Sequence, residues 1–192
     1  RVRNVTTMKN SCGNADWHCS YKMDNYGDGN GGVGTPMSFT ASSLNSGFVV
    51  MGEQLDLCDI RKVATKMGVT YGEGGEIAVD GPFALLGPSN SSPLQMAGAY
   101  ATVANGGVYC QPKFIDAVTD STGASIEPPA STCTQVIAPN VAATAAYALQ
   151  GVMTNGTGTG SNPFDGTALL GKTGTHQQYQ TWMVESSSAV AT

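Results

Sequence analysis

Charge is what this sequence has least of. Only 12% of its 192 residues are Asp, Glu, Lys or Arg, and 9 basic against 14 acidic side chains leave a formal net charge of -5. Disordered chains and coiled coils carry far more charge, so both classes are excluded. The few basic residues form no Lys/Arg cluster. A nucleic acid or an anionic membrane surface would therefore find no basic patch to bind. No apolar run approaches the roughly 20 residues that span a bilayer, so no membrane contact is expected from this segment. An initiator methionine and a signal peptide are also missing: the chain opens Arg1-Val2-Arg3-Asn4-Val5 and stops inside the strand-like run Ala189-Val190-Ala191. It is expected to be a piece of something longer, incomplete at both ends. Cys12, His18 and Cys19 lie close together, but no second pair at ligand spacing follows, so no metal site is expected.

Apolar residues make up 41% of the chain, enough to bury a core for one domain or most of one. Five cysteines are present: Cys12, Cys19, Cys58, Cys110 and Cys133. Cys110 and Cys133 sit beside polar, Pro-containing segments. That placement reads as a staple across a loop in an oxidising compartment, and the two are predicted to pair. The odd count leaves at least one thiol unpaired.

Three regions follow from the pattern. Residues 1–40 are rich in Gly, Asn, Asp and Ser, and Gly27-Asp28-Gly29-Asn30-Gly31-Gly32 cannot occupy a helix interior. They are read as irregular chain. Residues 41–155 are read as a mainly helical lobe with helices at 39–53, 56–67, 92–105 and 139–153. Asp56 is a natural N-cap and Gly68 a natural stop. Ser92-Pro93-Leu94-Gln95 is a capping box with proline at the first helical position. Val141, Ala145, Leu149 and Val152 mark the inner face of the last helix. Strands are expected at 113–119, 167–175 and 181–184, with a fourth beginning at 189–191. The short span from Thr175 to Thr181 predicts a hairpin. Residues 156–192 thus supply the sheet.

The strongest chemical signal is Lys172-Thr173-Gly174-Thr175, on a predicted strand. A strand edge beside a nucleophile must let an extended peptide lie along it, and Gly174 has no side chain to block that approach. Lys172 supplies positive charge for an anionic ligand group and a proton network. Thr173 and Thr175 offer hydroxyl donors, and the Thr175 backbone N–H suits half of an oxyanion hole. The second signal is Ser43-Leu44-Asn45, 129 positions earlier and early in a predicted helix. There Ser43 can shuttle a proton while Asn45 bonds a substrate amide. His18 and His176 invite a catalytic reading, but His176, which directly follows the motif and could touch substrate, is read as a solvated hairpin position.

These segments together resemble the transpeptidase domain of bifunctional (class A) penicillin-binding proteins, in an actinobacterial-like form. The resemblance rests on the run 43–49, on 92–107, on Gly156-Thr157-Gly158, on Gly171-Lys172-Thr173-Gly174-Thr175 and on Trp182. It covers nearly the whole chain. It implies an α/β (α+β) fold of the penicillin-binding protein and serine β-lactamase type. In that fold a five-stranded antiparallel sheet packs with helices, and a helical lobe forms the other wall of a cleft. It implies D,D-transpeptidation through an acyl-serine. Peptidoglycan stem peptides and β-lactams are the expected partners, no cofactor is needed, and the setting is extracytoplasmic, with an upstream membrane anchor in the parent protein. Ser43 and Lys172 become catalytic candidates, and Asn45, Thr173, Gly174 and Thr175 substrate-binding candidates. A D-Ala carboxypeptidase, a β-lactamase-related enzyme and a non-catalytic penicillin-binding module are the alternatives.

The chain departs from the family in one decisive place. It contains no Ser-x-x-Lys: the residues three before its lysines are Thr6, Cys19, Asp59, Val63, Cys110 and Leu169. The family's nucleophile is therefore expected upstream of Arg1, in a missing segment of the same parent. After Trp182-Met183-Val184, Glu185-Ser186-Ser187-Ser188 replaces the family's usual turn.

Overall fold

A computed structural model describes residues 3–13, 15–26, 31–87, 89–177 and 179–192. It opens with a hairpin of β1 (Arg3–Met8) and β2 (Trp17–Met23), antiparallel, with a register shift between Val5 and Thr7. This corrects the reading of residues 1–40 as irregular chain. The shift displaces the inward positions, so the run Val5-Thr6-Thr7-Met8 never shows the clean alternation that announces a strand. Its buried side chains are Val5, Met8 and Met23, which join Val49, Leu57 and Val79 in one core cluster. The expected run Gly27-Asp28-Gly29-Asn30 lies outside the described residues.

Two short helices follow, α1 (Pro36–Ala41) and α2 (Asn45–Gly52), where one continuous helix was expected. Backbone bonds end α1: Leu44 N–H donates to the Phe39 carbonyl (2.9 Å) and Ser43 N–H to the Thr40 carbonyl (3.2 Å). That pair is a Schellman motif, and it puts Ser43 in the left-handed region at φ 53°. Glycine normally takes this position. A serine there gives no sequence-level warning of a break.

Helix α3 (Leu57–Lys66) starts as expected, with the Asp56 carboxylate accepting from Cys58 N–H. The same carboxylate accepts from Ser11 N–H and faces Lys9, so it joins the end of β1 to α3. These contacts, Ser11 foremost, hold its pKa well below the usual carboxylate range. A Cys12–Cys58 disulfide bridges the same junction. Helix α4 (Pro93–Ala104) carries the predicted capping box: Gln95 N–H donates to Ser92 Oγ (3.2 Å), and Gln95 Oε1 accepts from Ser92 N–H (3.0 Å).

Between α4 and the next helix lie two small ladders, β3 (Val108–Cys110) with β6 (Cys133–Gln135), and β4 (Val118–Thr119) with β5 (Ser125–Ile126). The predicted strand over 113–119 shrinks to its last two residues. Phe114 and Ile115 are exposed, so their alternation has no core to face. The predicted Cys110–Cys133 disulfide is present and joins β3 to β6.

Helix α5 (Pro139–Asn155) buries Ala142, Val152 and Met153, whereas Val141, read as an inner position, is exposed. The chain closes with the expected hairpin, β7 (Leu170–His176) antiparallel to β8 (Gln180–Ser186). α5 packs on β7, and α4 packs on β8 and α5. Of the five strands implied by the family, two lie in this sheet among the described residues. The run 189–191 adds a single Ser186–Ala191 bridge.

Candidate active site

A cleft of ≈ 440 Å³ opens between the helices and β7. Ser43, Asn45, Lys172, Thr173, Gly174 and Thr175 line its polar side, and Phe48, Leu85, Tyr100, Ala145 and Leu149 its apolar side. Every candidate catalytic and binding residue read from the sequence is thus in one place. Cys110 and Cys133 lie elsewhere, on the β3–β6 ladder, and His176 is exposed at the end of β7.

Ser43 is placed by its own backbone. It follows α1 in the left-handed turn rather than sitting inside a helix, and a non-glycine residue there costs on the order of 1 kcal/mol. Its hydroxyl accepts a 2.7 Å hydrogen bond from Lys172 Nζ, across 129 positions of chain. Lys172 Nζ also donates to the Thr173 carbonyl at 2.8 Å. The lysine is half-buried, and removal from water pushes its pKa below the ordinary lysine value. A desolvated ammonium that touches a hydroxyl can hold or pass on a proton.

Asn45 opens α2. Its Nδ2 donates to the Asp24 carbonyl (3.1 Å), and the residue lines the cleft. Ser46 N–H and Oγ both donate to Asn25 Oδ1, at 3.0 and 3.1 Å. The turn after β2 thus takes over the capping role that Leu44, without a polar side chain, cannot fill. The hairpin that the sequence hid is what fixes the Ser43-Leu44-Asn45 segment.

On β7, one edge pairs with β8 and the other carries no strand among the described residues. Gly174 stands opposite Trp182, and an added Cβ would meet Trp182 Cβ at 3.4 Å. The fold itself therefore accommodates a methyl group there, and Gly174 lines the cleft. Gly171 differs: a Cβ there would lie 2.7 Å from Met153 Sδ and 2.9 Å from the Val184 carbonyl, so its smallness serves packing.

Two residues, Tyr100 and Thr157, were not singled out as site residues in the sequence. Tyr100 appeared only as part of the apolar stripe of α4, yet it lines the cleft, and burial pushes its hydroxyl pKa up to about 12. Thr157 Oγ1 lies 2.6 Å from Thr173 Oγ1. Tyr100 reaches the cleft from within α4, and the role of Thr157 depends on how the loop after α5 meets β7, which the run Gly156-Thr157-Gly158 alone does not show.

Comparison with known proteins agrees with this geometry. Residues 3–188 match the family model for the penicillin binding protein transpeptidase domain. Penicillin-binding protein 2a of Streptococcus pneumoniae serotype 2 (strain D39 / NCTC 7466) is 33% identical over 169 residues, covering 81% of this chain and 21% of that protein. Stage V sporulation protein D of Bacillus subtilis (strain 168) is 30% identical over 171 residues, covering 78% and 26%. Among solved structures, the D,D-transpeptidase domain of a peptidoglycan glycosyltransferase from Eggerthella lenta superposes with a TM-score of 0.73 at 23% identity, over 98% of this chain and 52% of that one. An imipenem acyl-enzyme complex of penicillin-binding protein A from M. tuberculosis gives 0.72 at 22% identity, over 97% and 46%. The chain therefore spans about a quarter of the length of these curated relatives and about half of these solved chains. With the family model matched over nearly its full length and every motif residue gathered in one cleft, this chain belongs to the penicillin-binding protein transpeptidase domain family.

Proposed function

We propose that the protein containing this chain is a D,D-transpeptidase that cross-links peptidoglycan stem peptides outside the cytoplasm and is acylated by β-lactams. The observation that carries the reading is the 2.7 Å Lys172–Ser43 hydrogen bond, which ties the two motifs into one proton network at the cleft wall. Two disulfides support an oxidising, extracytoplasmic setting.

In this reading the nucleophilic serine belongs to a Ser-x-x-Lys segment outside residues 1–192. Its Oγ gives up a proton and bonds to the carbonyl carbon of the penultimate D-Ala. The C–N bond to the terminal D-Ala breaks, and the leaving amine takes the proton. An amine of a neighbouring stem then attacks the ester, the C–Oγ bond breaks, and the proton returns to the serine. Ser43 and Lys172 relay these protons and stabilise the charge that develops. Asn45 accepts a substrate amide N–H. The free edge of β7 at Gly174 receives the extended peptide, Thr173 and Thr175 bind its carboxylate, and Thr175 N–H faces the oxyanion. The parent's class A membership and its membrane anchor belong to the same reading.

The test is product analysis with the full-length protein and a stem-peptide donor plus an acceptor amine. Cross-linked dimer is the expected main product. Release of D-Ala without cross-linking would assign a carboxypeptidase, and turnover of penicillin to its hydrolysed form would assign a β-lactamase. No acylation at all would assign a non-catalytic module.

A further inference from the structure

Thr157 lies in the loop that follows α5, outside the motif strand and outside the Ser43 turn. Three contacts lock that loop. Thr157 N–H donates to the Ala41 carbonyl at 3.0 Å, at the last residue of α1 and two positions before Ser43. Gly156 sits so close to α1 that a Cβ would stand 2.4 Å from the same carbonyl oxygen. Gly158 N–H donates to the Val152 carbonyl at 3.0 Å, and a Cβ there would meet Met153 Sδ at 2.8 Å. The loop is therefore clamped between the ends of α1 and α5, and the clamp aims Thr157 Oγ1 at Thr173 Oγ1, 2.6 Å away.

A threonine hydroxyl has one proton to give and two lone pairs to accept with. Without a ligand, either of these two oxygens can be the donor. An anion at Thr173 removes that freedom. Thr173 must turn its only proton to the anion, so Thr157 must supply the proton between them. The result is a directed chain, from Thr157 O–H to Thr173 O–H to the carboxylate, in which each bond polarises the next. Thr157 thus orients an anion-binding hydroxyl that would otherwise rotate freely on an exposed edge.

We propose that Thr157 is a positioning residue for anion recognition: it holds the Thr173 hydroxyl as a donor to the carboxylate of the stem peptide or β-lactam. The proposal rests on the transpeptidase reading above. It deepens that reading by adding a residue from a separate element and by assigning it to one functional group of the ligand.

The experiment uses the full-length protein and two probes, a penicillin with its free carboxylate and the methyl ester of the same penicillin. The second-order acylation rate is measured for each, and the ratio of acid to ester is the readout. Thr157→Val, which keeps the shape and removes the hydroxyl, is expected to lower that ratio about tenfold. Thr157→Ser is expected to restore it to within about twofold. In a Thr173→Val background, Thr157→Val should lower it no further. A ratio that stays at the wild-type value in Thr157→Val overturns the proposal, whether both rates hold or both fall together, since an equal fall marks a purely structural role. If Thr157→Val does not fold, Thr157→Ala and the Thr173→Val background are read in the same way. A wild-type protein that neither probe acylates overturns the transpeptidase reading and this inference with it. A wild-type protein that is acylated normally, with no selective loss in the variants, overturns the inference alone.

Discussion

Removing the Lys172 ammonium is the perturbation whose size the structure lets one work out. Lys172 Nζ makes two hydrogen bonds, to Ser43 Oγ at 2.7 Å and to the Thr173 carbonyl at 2.8 Å, from a half-buried position. Losing one preorganised electrostatic donor costs about 10²–10³ in rate, and the lower end applies here because the group keeps partial contact with water. Lys172→Ala in the full-length protein is therefore expected to slow acylation about 100-fold. The pH dependence has a defined sign. Burial lowers the folded-state pKa, so the alkaline limb of the acylation profile should fall below the pH at which an ordinary lysine titrates. The unfolded chain holds that proton more tightly than the folded one. The buried charge thus costs stability below the folded pKa, and stability rises with pH between the folded and unfolded values. Lys172→Met keeps the packing of the stem and removes the charge, so it should melt no lower than wild type while acylating slowly. Stopped-flow with a fluorescent penicillin and a thermal melt check both halves. Wild-type acylation by Lys172→Ala would refute the role assigned to the ammonium.

Other positions separate structure from function in the same way. Ser43 occupies a left-handed site that glycine prefers, so Ser43→Gly should melt about as high as wild type and above Ser43→Ala, while both acylate slowly; a melt ranking Ala above Gly would contradict the turn described. Gly174→Ala should fold normally, because its Cβ meets only Trp182 at 3.4 Å, yet should acylate at least tenfold more slowly as the methyl intrudes on the ligand's edge, measured with the same penicillin. Breaking Cys110–Cys133 and Cys12–Cys58 by serine pairs, which open separations of 23 and 46 residues, should destabilise by roughly 3 and 4 kcal/mol respectively in denaturant titrations.

Local chemistry made part of the molecule readable. The Ser92–Gln95 capping box, the Asp56 N-cap and the hairpin around residues 175–181 each depend on residues within a few positions of one another, and each stands where the sequence put it. Lys172 and Ser43 were legible as motif residues, although their contact was not, because 129 residues of chain separate them. What stayed hidden was set by tertiary contact. The shift between Val5 and Thr7 disguised β1, and a serine in a glycine-type turn disguised the break between α1 and α2. Phe114 and Ile115 imitated a strand without a core beneath them. Cys12 seemed grouped with His18 and Cys19, yet it pairs with Cys58 because Asp56 draws Ser11 against the start of α3, and Cys19 stays free and exposed. Asn25 and Thr157 support the cleft through hydrogen bonds from remote loops, which no periodicity encodes.

The most direct test of the account is the position of the penicillin adduct. In the full-length protein labelled with penicillin, proteolysis and mass spectrometry should place one stoichiometric adduct on the serine of a Ser-x-x-Lys outside residues 1–192, with Ser43 unmodified. That result fits a Ser43 whose lysine partner, Lys172, acts as a proton relay at the cleft wall. An adduct on Ser43, or a protein that penicillin leaves unlabelled, would contradict it.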